Sequence, residues 1–185
     1  MSVTLMNRST VKIYRGTINI EQAAQGMCVS PDLYLASLRD GRTIARWAEI
    51  WVSVIYGLKL TKPNTYAADS TGSLDSDYST KSLTKHGTRI GLSSNVGVGR
   101  TCQESDVLNA IRSVVAYNFV DNTALPEISF IQRPSGAIME WFKDGHIGKT
   151  GTISYEKFYE ILGPVEVVRV SLATGERLKI VQNNA

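Results

Sequence analysis

The segment from Asp69 to Thr84 constrains this chain most, because it has the pattern of a β-hairpin with ionisable side chains on both strands. An acid, Asp69, follows a short run of apolar and small residues at 66–68, and a stretch rich in Gly, Ser and Asp comes next. The strand-like segment Tyr78–Thr84 then carries Lys81 at its centre. Two strands joined by a short turn lie side by side, so we expect Asp69 and Lys81 to converge at one edge of a sheet.

Strand and helix patterns alternate along the rest of the chain. Strands are predicted at Thr10–Ile20 and near the C-terminus, and the strongest helix pattern runs from Gly41 to Gly57, with apolar residues at i, i+3, i+4 and i+7. A chain of 185 residues with 43% hydrophobic and 20% charged residues has the composition of a globular domain with a real core. We therefore predict a single domain over residues 1–185, of the α/β or α+β class, with a central mixed β-sheet flanked by helices.

Three further elements are predicted from periodicity and capping residues. Ser30-Pro31 is a typical helix start, since Ser is a good N-cap and Pro suits the first helical position. Residues Glu104–Tyr117 have the spacing of an amphipathic helix, followed by strands over Asn118–Asp121 and Glu127–Gln132. Residues Thr88–Leu92 are predicted to extend the sheet.

Glu49 lies within the Gly41–Gly57 helix, on a second and thinner stripe with Ala45, Val52 and Tyr56. An acid among small and apolar residues is unusual for a solvated helix face. Two interpretations stay open: a surface or capping carboxylate, or an acid directed at a functional site.

Charge and cysteine content exclude some classes of protein. The net charge of +3 and the pI of about 8.9 are compatible with nucleic acid as a partner without requiring it. Two cysteines and two histidines do not make a disulfide framework and argue against a structural zinc site. No apolar run approaches the roughly 20 residues of a membrane helix, and the N-terminal residues lack the apolar region of a signal peptide. We expect an intracellular protein with no membrane partner.

The acid and lysine pattern suits the hydrolysis of a phosphodiester. That reaction requires a neutralised phosphate, a positioned water and a stabilised leaving oxygen. Carboxylates that hold Mg²⁺ meet the first and third needs, and a nearby lysine orients the water or stabilises charge in the transition state. Asp69, Glu49 and the Ser79–Lys81 strand supply these groups, and the two-residue strand period places Asp77, Ser79 and Lys81 on one face.

These residues resemble the catalytic core of the PD-(D/E)xK nucleases, particularly the type II restriction endonucleases. In that family an Asp on one strand is followed, after a variable hairpin, by an acid-x-Lys on the next, and a preceding helix often contributes a Glu, here Glu49. The resemblance covers roughly residues 41–162, with a short strict motif. Two positions depart from the pattern: Ala68 stands where the family has Pro, and Ser79 replaces the second acid.

The resemblance implies a restriction-endonuclease-like fold and a Mg²⁺-dependent, sequence-specific cleavage of double-stranded DNA in the prokaryotic cytoplasm. Asp69 would bind the metal, Glu49 would bind or orient it, Lys81 would sit by the attacking water, and Ser79 would hold a water at the metal. Glu49 is the first candidate to replace the missing acid, and Asp77 or Asp75 the second. A homodimer is expected, because a two-fold protein reads a two-fold sequence.

Contacts to DNA are expected from the residues that follow the catalytic strand. The loop at 93–100 is rich in Gly and ends in a cation, but it lacks the Gly-Lys-Ser/Thr ending of a Walker motif. Backbone N–H groups and cations in such a loop suit phosphate oxygens. The predicted contact residues are Lys85, His86, Arg89, Ser94, Asn95 and Arg100.

The main candidate residues can also be interpreted as purely structural or surface residues. Asp69 before Ser-Thr-Gly suits an Asx-turn, and Lys81 has the character of a solvated strand lysine. His86 has the character of a turn histidine, and the aromatic residues of the later helices are predicted to be core. The alternative function is a non-enzymatic nucleic-acid-binding or capsid-forming protein, in which Asp69 and Lys81 are structural and no metal is needed.

Overall fold

A computed structural model describes residues 10–61, 69–72, 76–91 and 103–178, apart from the side chains of residues 41 and 42. Its helices are α1 Ile20–Gly26, α2 Pro31–Arg39, α3 Gly41–Tyr56, α4 Glu104–Arg112, α5 Ser135–Lys143 and α6 Tyr155–Leu162. Its strands are β1 Val11–Thr17, β2 Lys59–Leu60, β3 Ser70–Thr71, β4 Asp77–Leu83, β5 Thr88–Arg89, β6 Ala116–Asp121, β7 Glu127–Pro134, β8 Thr152–Ile153 and β9 Val165–Arg169.

Seven of these strands form one mixed sheet in the order β2-β3-β4-β6-β7-β1-β9. Strand β4 is parallel to β6 and β1 is parallel to β9, while the other neighbours are antiparallel. The prediction of a mixed α/β fold with a central sheet flanked by helices is therefore confirmed. Strand β4, which carries Lys81, lies inside the sheet between the short strand β3, which follows Asp69, and strand β6.

The two faces of the sheet have separate cores, because successive residues of a strand point to opposite faces. On one face Phe119 packs with buried residues of α4, α5 and α6. On the other face Val120 packs with buried residues of α1, α2 and α3. The aromatic residues predicted to be core are confirmed as such: Trp141 and Phe158 are buried in the first core, and Phe142, Tyr155 and Tyr159 pack against it.

The helix starts and stops follow the capping signals. The Ser30 side chain accepts a hydrogen bond from the N–H of Leu33, with Pro31 as the first residue of α2. Helix α3 ends at Tyr56, followed by Gly57 at a positive φ of 64°, as the sequence predicts. The long apolar face of α3 is buried through Ile44, Ala48 and Trp51.

Three sequence predictions are wrong in whole or in part. The strand predicted over Thr10–Ile20 ends at Thr17, and Ile20 begins α1. The helix predicted over Glu104–Tyr117 ends at Arg112, and Ala116 and Tyr117 belong to β6. All six residues of β6 are buried between β4 and β7, so strand pairing prevails over the helical spacing there. Residues Thr88–Arg89 do not extend the main sheet; they form a separate two-stranded sheet with β8.

Candidate active site

The site lies where the pairing of β3 with β4 stops. The Asp69 N–H donates to the carbonyl of Tyr78 at 2.9 Å, next to the last paired residues. The next N–H of β4 on that side belongs to Thr80, and it donates to Oδ2 of Asp69 at 2.6 Å. A carboxylate therefore takes the place of a main-chain acceptor at the point where the two strands separate.

Ser79 holds the same carboxylate oxygen. Its hydroxyl donates to Asp69 Oδ2 at 3.2 Å, and the residue is only 4% exposed. The resemblance implied that Ser79 holds a water at the metal; in the structure its hydroxyl binds Asp69 directly. Ser79 thus positions the acid instead of replacing the missing one.

Lys81 lies on the Ser79 face of β4, two residues further along. Its Nζ donates to the carbonyl of Gly91 at 3.2 Å. Burial lowers the pKa of Lys81, and the negative charges of Asp69 and Glu49 oppose that shift. Lys81 is therefore a partly buried lysine with a main-chain hydrogen-bond partner, unlike the freely solvated strand lysine of the structural interpretation.

The position of the Gly91 carbonyl depends on a tight backbone contact. The Ile90 N–H donates to the carbonyl of Gly151 at 2.7 Å. Gly151 has a φ of 80°, and a Cβ there would lie 1.9 Å from the carbonyl oxygen of Ile90. Because only glycine fits, the chain at Ile90–Gly91 is held close beside Lys81.

Glu49 reaches the same place from α3. Its side chain is 21% exposed and is paired with the guanidinium of Arg46, one helical turn earlier. Burial raises the pKa of Glu49, and the charge of Asp69 adds to this, whereas Arg46 and Lys81 lower it. The charge of Asp69 acts on the pKa values of both Glu49 and Lys81, and these two act on each other, so the three charged residues predicted from sequence lie near one another.

Tyr117 is a neighbour of the site that the sequence prediction missed. It lies directly opposite Ser79 in the pairing of β4 with β6 and is 1% exposed. Burial raises the pKa of the Tyr117 hydroxyl, and the charge of Asp69 raises it further. Its assignment to a helix in the sequence concealed this position, since only the strand register places Tyr117 beside Ser79.

The acids of the site limit how a divalent metal could be bound there. Within the described ranges, no group of three or more His, Cys, Asp or Glu side chains is arranged to hold a metal ion. Mg²⁺, however, is often bound by one or two carboxylates together with substrate phosphates and waters. Glu49 and Asp69 supply that smaller number of carboxylates, and the remaining oxygen ligands of an octahedral Mg²⁺ would come from substrate and solvent.

Asp77, the other candidate metal ligand on β4, is partly buried at the start of the strand. Among the described residues, the charges that shift the pKa values of Glu49 and Lys81 do not include Asp77. Asp75 lies outside the described residues. The role of Asp77 as a ligand stays a prediction.

The predicted DNA contacts divide into two groups. Lys85 and His86 are exposed in the turn after β4, and Arg89 is exposed on β5. At about 3.3 Å per residue, Lys85 lies roughly 13 Å along the chain from Lys81. Lys85 and His86 line a cleft of about 490 Å³ together with Arg39. Ser94, Asn95 and Arg100 lie outside the described residues.

Comparison of the chain with protein-family models, with curated proteins and with solved structures found no match. In the part of the chain that the structure describes, no helix has both the length and the apolar character that crossing a membrane requires.

Proposed function

We propose that this protein is a Mg²⁺-dependent endonuclease that hydrolyses phosphodiester bonds in double-stranded DNA, as the resemblance to the PD-(D/E)xK nucleases implies. One observation carries the proposal: Glu49 on α3, Asp69 just before β3 and Lys81 on β4 are near enough for their charges to interact, beside the point where β3 separates from β4. Asp69 precedes one strand, Lys81 lies on the next, and the helix before both supplies Glu49, which is the arrangement that the resemblance predicts.

Two carboxylates and a lysine suit this chemistry. Mg²⁺ held by Asp69 and Glu49 would supply charge neutralisation at the phosphate and at the leaving oxygen. The Asp69 carboxylate is already oriented by Ser79 Oγ and Thr80 N, so its position does not depend on a ligand. Such preorganisation lowers the reorganisation that the reaction requires.

Lys81 would act on the attacking water. Because burial lowers its pKa, its ammonium holds its proton less tightly than an exposed lysine does. A lysine tuned in this way donates a hydrogen bond to a water and gives up its proton more readily than an exposed lysine does. The Gly91 carbonyl fixes the direction of its Nζ.

The remaining parts of the proposal concern partners and context. We assign phosphate contacts to Lys85, His86 and Arg89, and sequence-specific recognition to a homodimer of a prokaryotic, cytoplasmic restriction system. The proposal also retains Asp77 as a second ligand candidate. Each of these assignments rests on the resemblance and on the exposed cations after β4.

The test is a plasmid cleavage assay with and without Mg²⁺. The variants are Asp69→Asn and Lys81→Met, and the control is Lys157→Met, which removes a lysine of an ion pair on α6. We expect discrete fragments from the wild type and the control only when Mg²⁺ is present. Loss of at least about a thousandfold in rate is expected for both site variants, as for groups that act on the transition state.

Cleavage that persists in folded Asp69→Asn and Lys81→Met would overturn the assignment of the site. A folded wild type that cuts no DNA of varied sequence, but binds DNA or assembles without metal, would favour the non-enzymatic alternative. Circular dichroism of each variant establishes that the fold is retained.

A further inference from the structure

The charges of the candidate site balance without any ligand. Glu49 and Asp69 contribute two negative charges, and Lys81 and Arg46 contribute two positive charges. A site that is to bind a divalent cation and a phosphate must exchange some of these internal pairs for pairs with its ligands. At least one of the four groups must therefore leave its present partner when the ligands bind.

Two of the four groups are held by hydrogen bonds to the fold. Asp69 accepts hydrogen bonds from Ser79 and Thr80, and Lys81 donates to the Gly91 carbonyl. Glu49 is only 21% exposed on a helix whose neighbouring residues are packed against the sheet. Asp69 and Lys81 cannot move without breaking these hydrogen bonds, and Glu49 is less exposed than Arg46.

Arg46 differs from the other three. Its side chain is 53% exposed, and it forms an ion pair with Glu49. An arginine on an open helix surface can change rotamer at little cost, and exposed ion pairs contribute little to stability. The guanidinium is therefore the mobile charge of the site.

A metal and Arg46 compete for the same carboxylate oxygens. Once a cation binds Glu49, the guanidinium loses its partner, while a phosphate at the metal brings new acceptor oxygens close by. Arg46 lies three residues before Glu49 on α3, a rise of about 4.5 Å along the helix, and a guanidinium matches phosphate oxygens in a bidentate manner. The freed side chain and the incoming anion are thus complementary in charge and geometry.

We infer that Arg46 is a phosphate-binding residue of this site, which is held on Glu49 in the free protein and passes to the DNA backbone when a metal takes Glu49. The inference rests on the proposed function, since it supplies the contact that the scissile region of the DNA makes with α3. It assigns two opposite effects to one side chain: Arg46 hinders metal binding without DNA and favours DNA binding with metal.

The test compares Arg46→Ala with Lys157→Ala. Lys157 forms the same i,i+3 ion pair, with Glu160, on a different helix, so it is a matched control. Mg²⁺ binding to the DNA-free proteins is measured by calorimetry at about pH 8, well above the usual carboxyl pKa values. Duplex DNA binding in Mg²⁺ is measured in a Lys81→Met background, which keeps the DNA intact.

We expect Arg46→Ala to bind Mg²⁺ about twofold to fivefold more tightly, as for loss of a competing surface ion pair. We expect the same variant to bind DNA about tenfold more weakly, as for loss of a charged phosphate contact. The slope of log K against log salt should fall by about 0.9, one phosphate contact. Lys157→Ala should change none of the three quantities.

The inference would be overturned if Arg46→Ala left the affinities for Mg²⁺ and for DNA both unchanged, or weakened both. The proposed function would still stand in that case, provided that the wild type binds Mg²⁺ through Asp69. A wild type that binds no Mg²⁺ through Asp69 would overturn the proposed function itself, and the inference with it.

Discussion

Asp69 and Asp121 are two carboxylates of the same sheet with opposite surroundings. Asp121, at the end of β6, is 7% exposed and accepts four hydrogen bonds. Thr123 binds one of its oxygens through N–H and hydroxyl, at 2.9 and 2.7 Å, and the hydroxyls of Tyr155 and Tyr159 bind the other at 3.0 and 2.6 Å. Every lone-pair direction of that carboxylate has a donor.

Asp69 accepts two hydrogen bonds from the described residues, half the number that Asp121 accepts. Ser79 and Thr80 both donate to its Oδ2, and no donor among the described residues is bound to Oδ1. Its charge instead acts on Glu49, Lys81 and Tyr117, whose pKa values it raises. A carboxylate filled by neutral donors stabilises a fold, whereas one with spare oxygens among other ionisable groups is suited to a ligand.

The largest difference is expected in stability. Asp121→Ala leaves two tyrosine hydroxyls and the Thr123 donors without their acceptor, so we expect it to lower the free energy of unfolding by about 3 kcal/mol or more. Asp69→Ala removes the acceptor of the Ser79 hydroxyl and the Thr80 N–H where β3 separates from β4. We expect it to lower the free energy of unfolding by about 1 kcal/mol. Urea denaturation of both variants measures the difference. Equal losses would show that Asp69 is as structural as Asp121.

A smaller difference is expected in the response to pH. The pKa of Lys81 is lowered in the folded protein, mainly by burial, from the ordinary lysine value of 10.5. Between the folded pKa and that value the unfolded chain binds more protons, so the contribution of Lys81 to stability rises with pH. As the pH rises toward 10.5, the free energy of unfolding of the wild type should increase relative to that of Lys81→Met. The increase per pH unit should be less than about 1.4 kcal/mol.

Urea titrations of wild type, Lys81→Met and Lys157→Met at several alkaline pH values measure this effect. Lys157 forms its ion pair on the surface of α6, so its removal should leave the pH slope of the wild type unchanged. A slope that is the same in Lys81→Met and in the wild type would contradict the burial of the Lys81 ammonium.

Local sequence patterns were enough to select candidate site residues, but not to give the contacts between them. The strand period placed Ser79 and Lys81 on one face, and the helical stripe singled out Glu49, because each pattern depends on residues close in sequence. Which acid receives the Thr80 N–H depends on where β3 leaves β4, and no local pattern gives that. The direct bond from Ser79 to Asp69 was missed for the same reason.

Tyr117 and Arg46 could not be placed at the site from local sequence patterns. Tyr117 carried helical spacing with its upstream neighbours, and only the pairing of β6 with β4 turns it toward the site. Arg46 has an exposed position with nothing in the sequence to separate it from other surface cations. The separate sheet of β5 and β8 also depends on a long-range pairing, of Thr88 with Ile153, that local periodicity cannot reveal.

The most direct test of the account is a calorimetric titration of Mg²⁺ into the wild type, Asp69→Asn and Glu160→Gln. Glu160 is the acid of the ion pair on α6 and serves as the control. The account predicts that the wild type and Glu160→Gln bind Mg²⁺ alike and that Asp69→Asn, although folded, loses binding. Two results would contradict a metal-dependent nuclease site where β3 separates from β4. One is Mg²⁺ binding by Asp69→Asn equal to that of the wild type, and the other is no Mg²⁺ binding by the folded wild type even with DNA present.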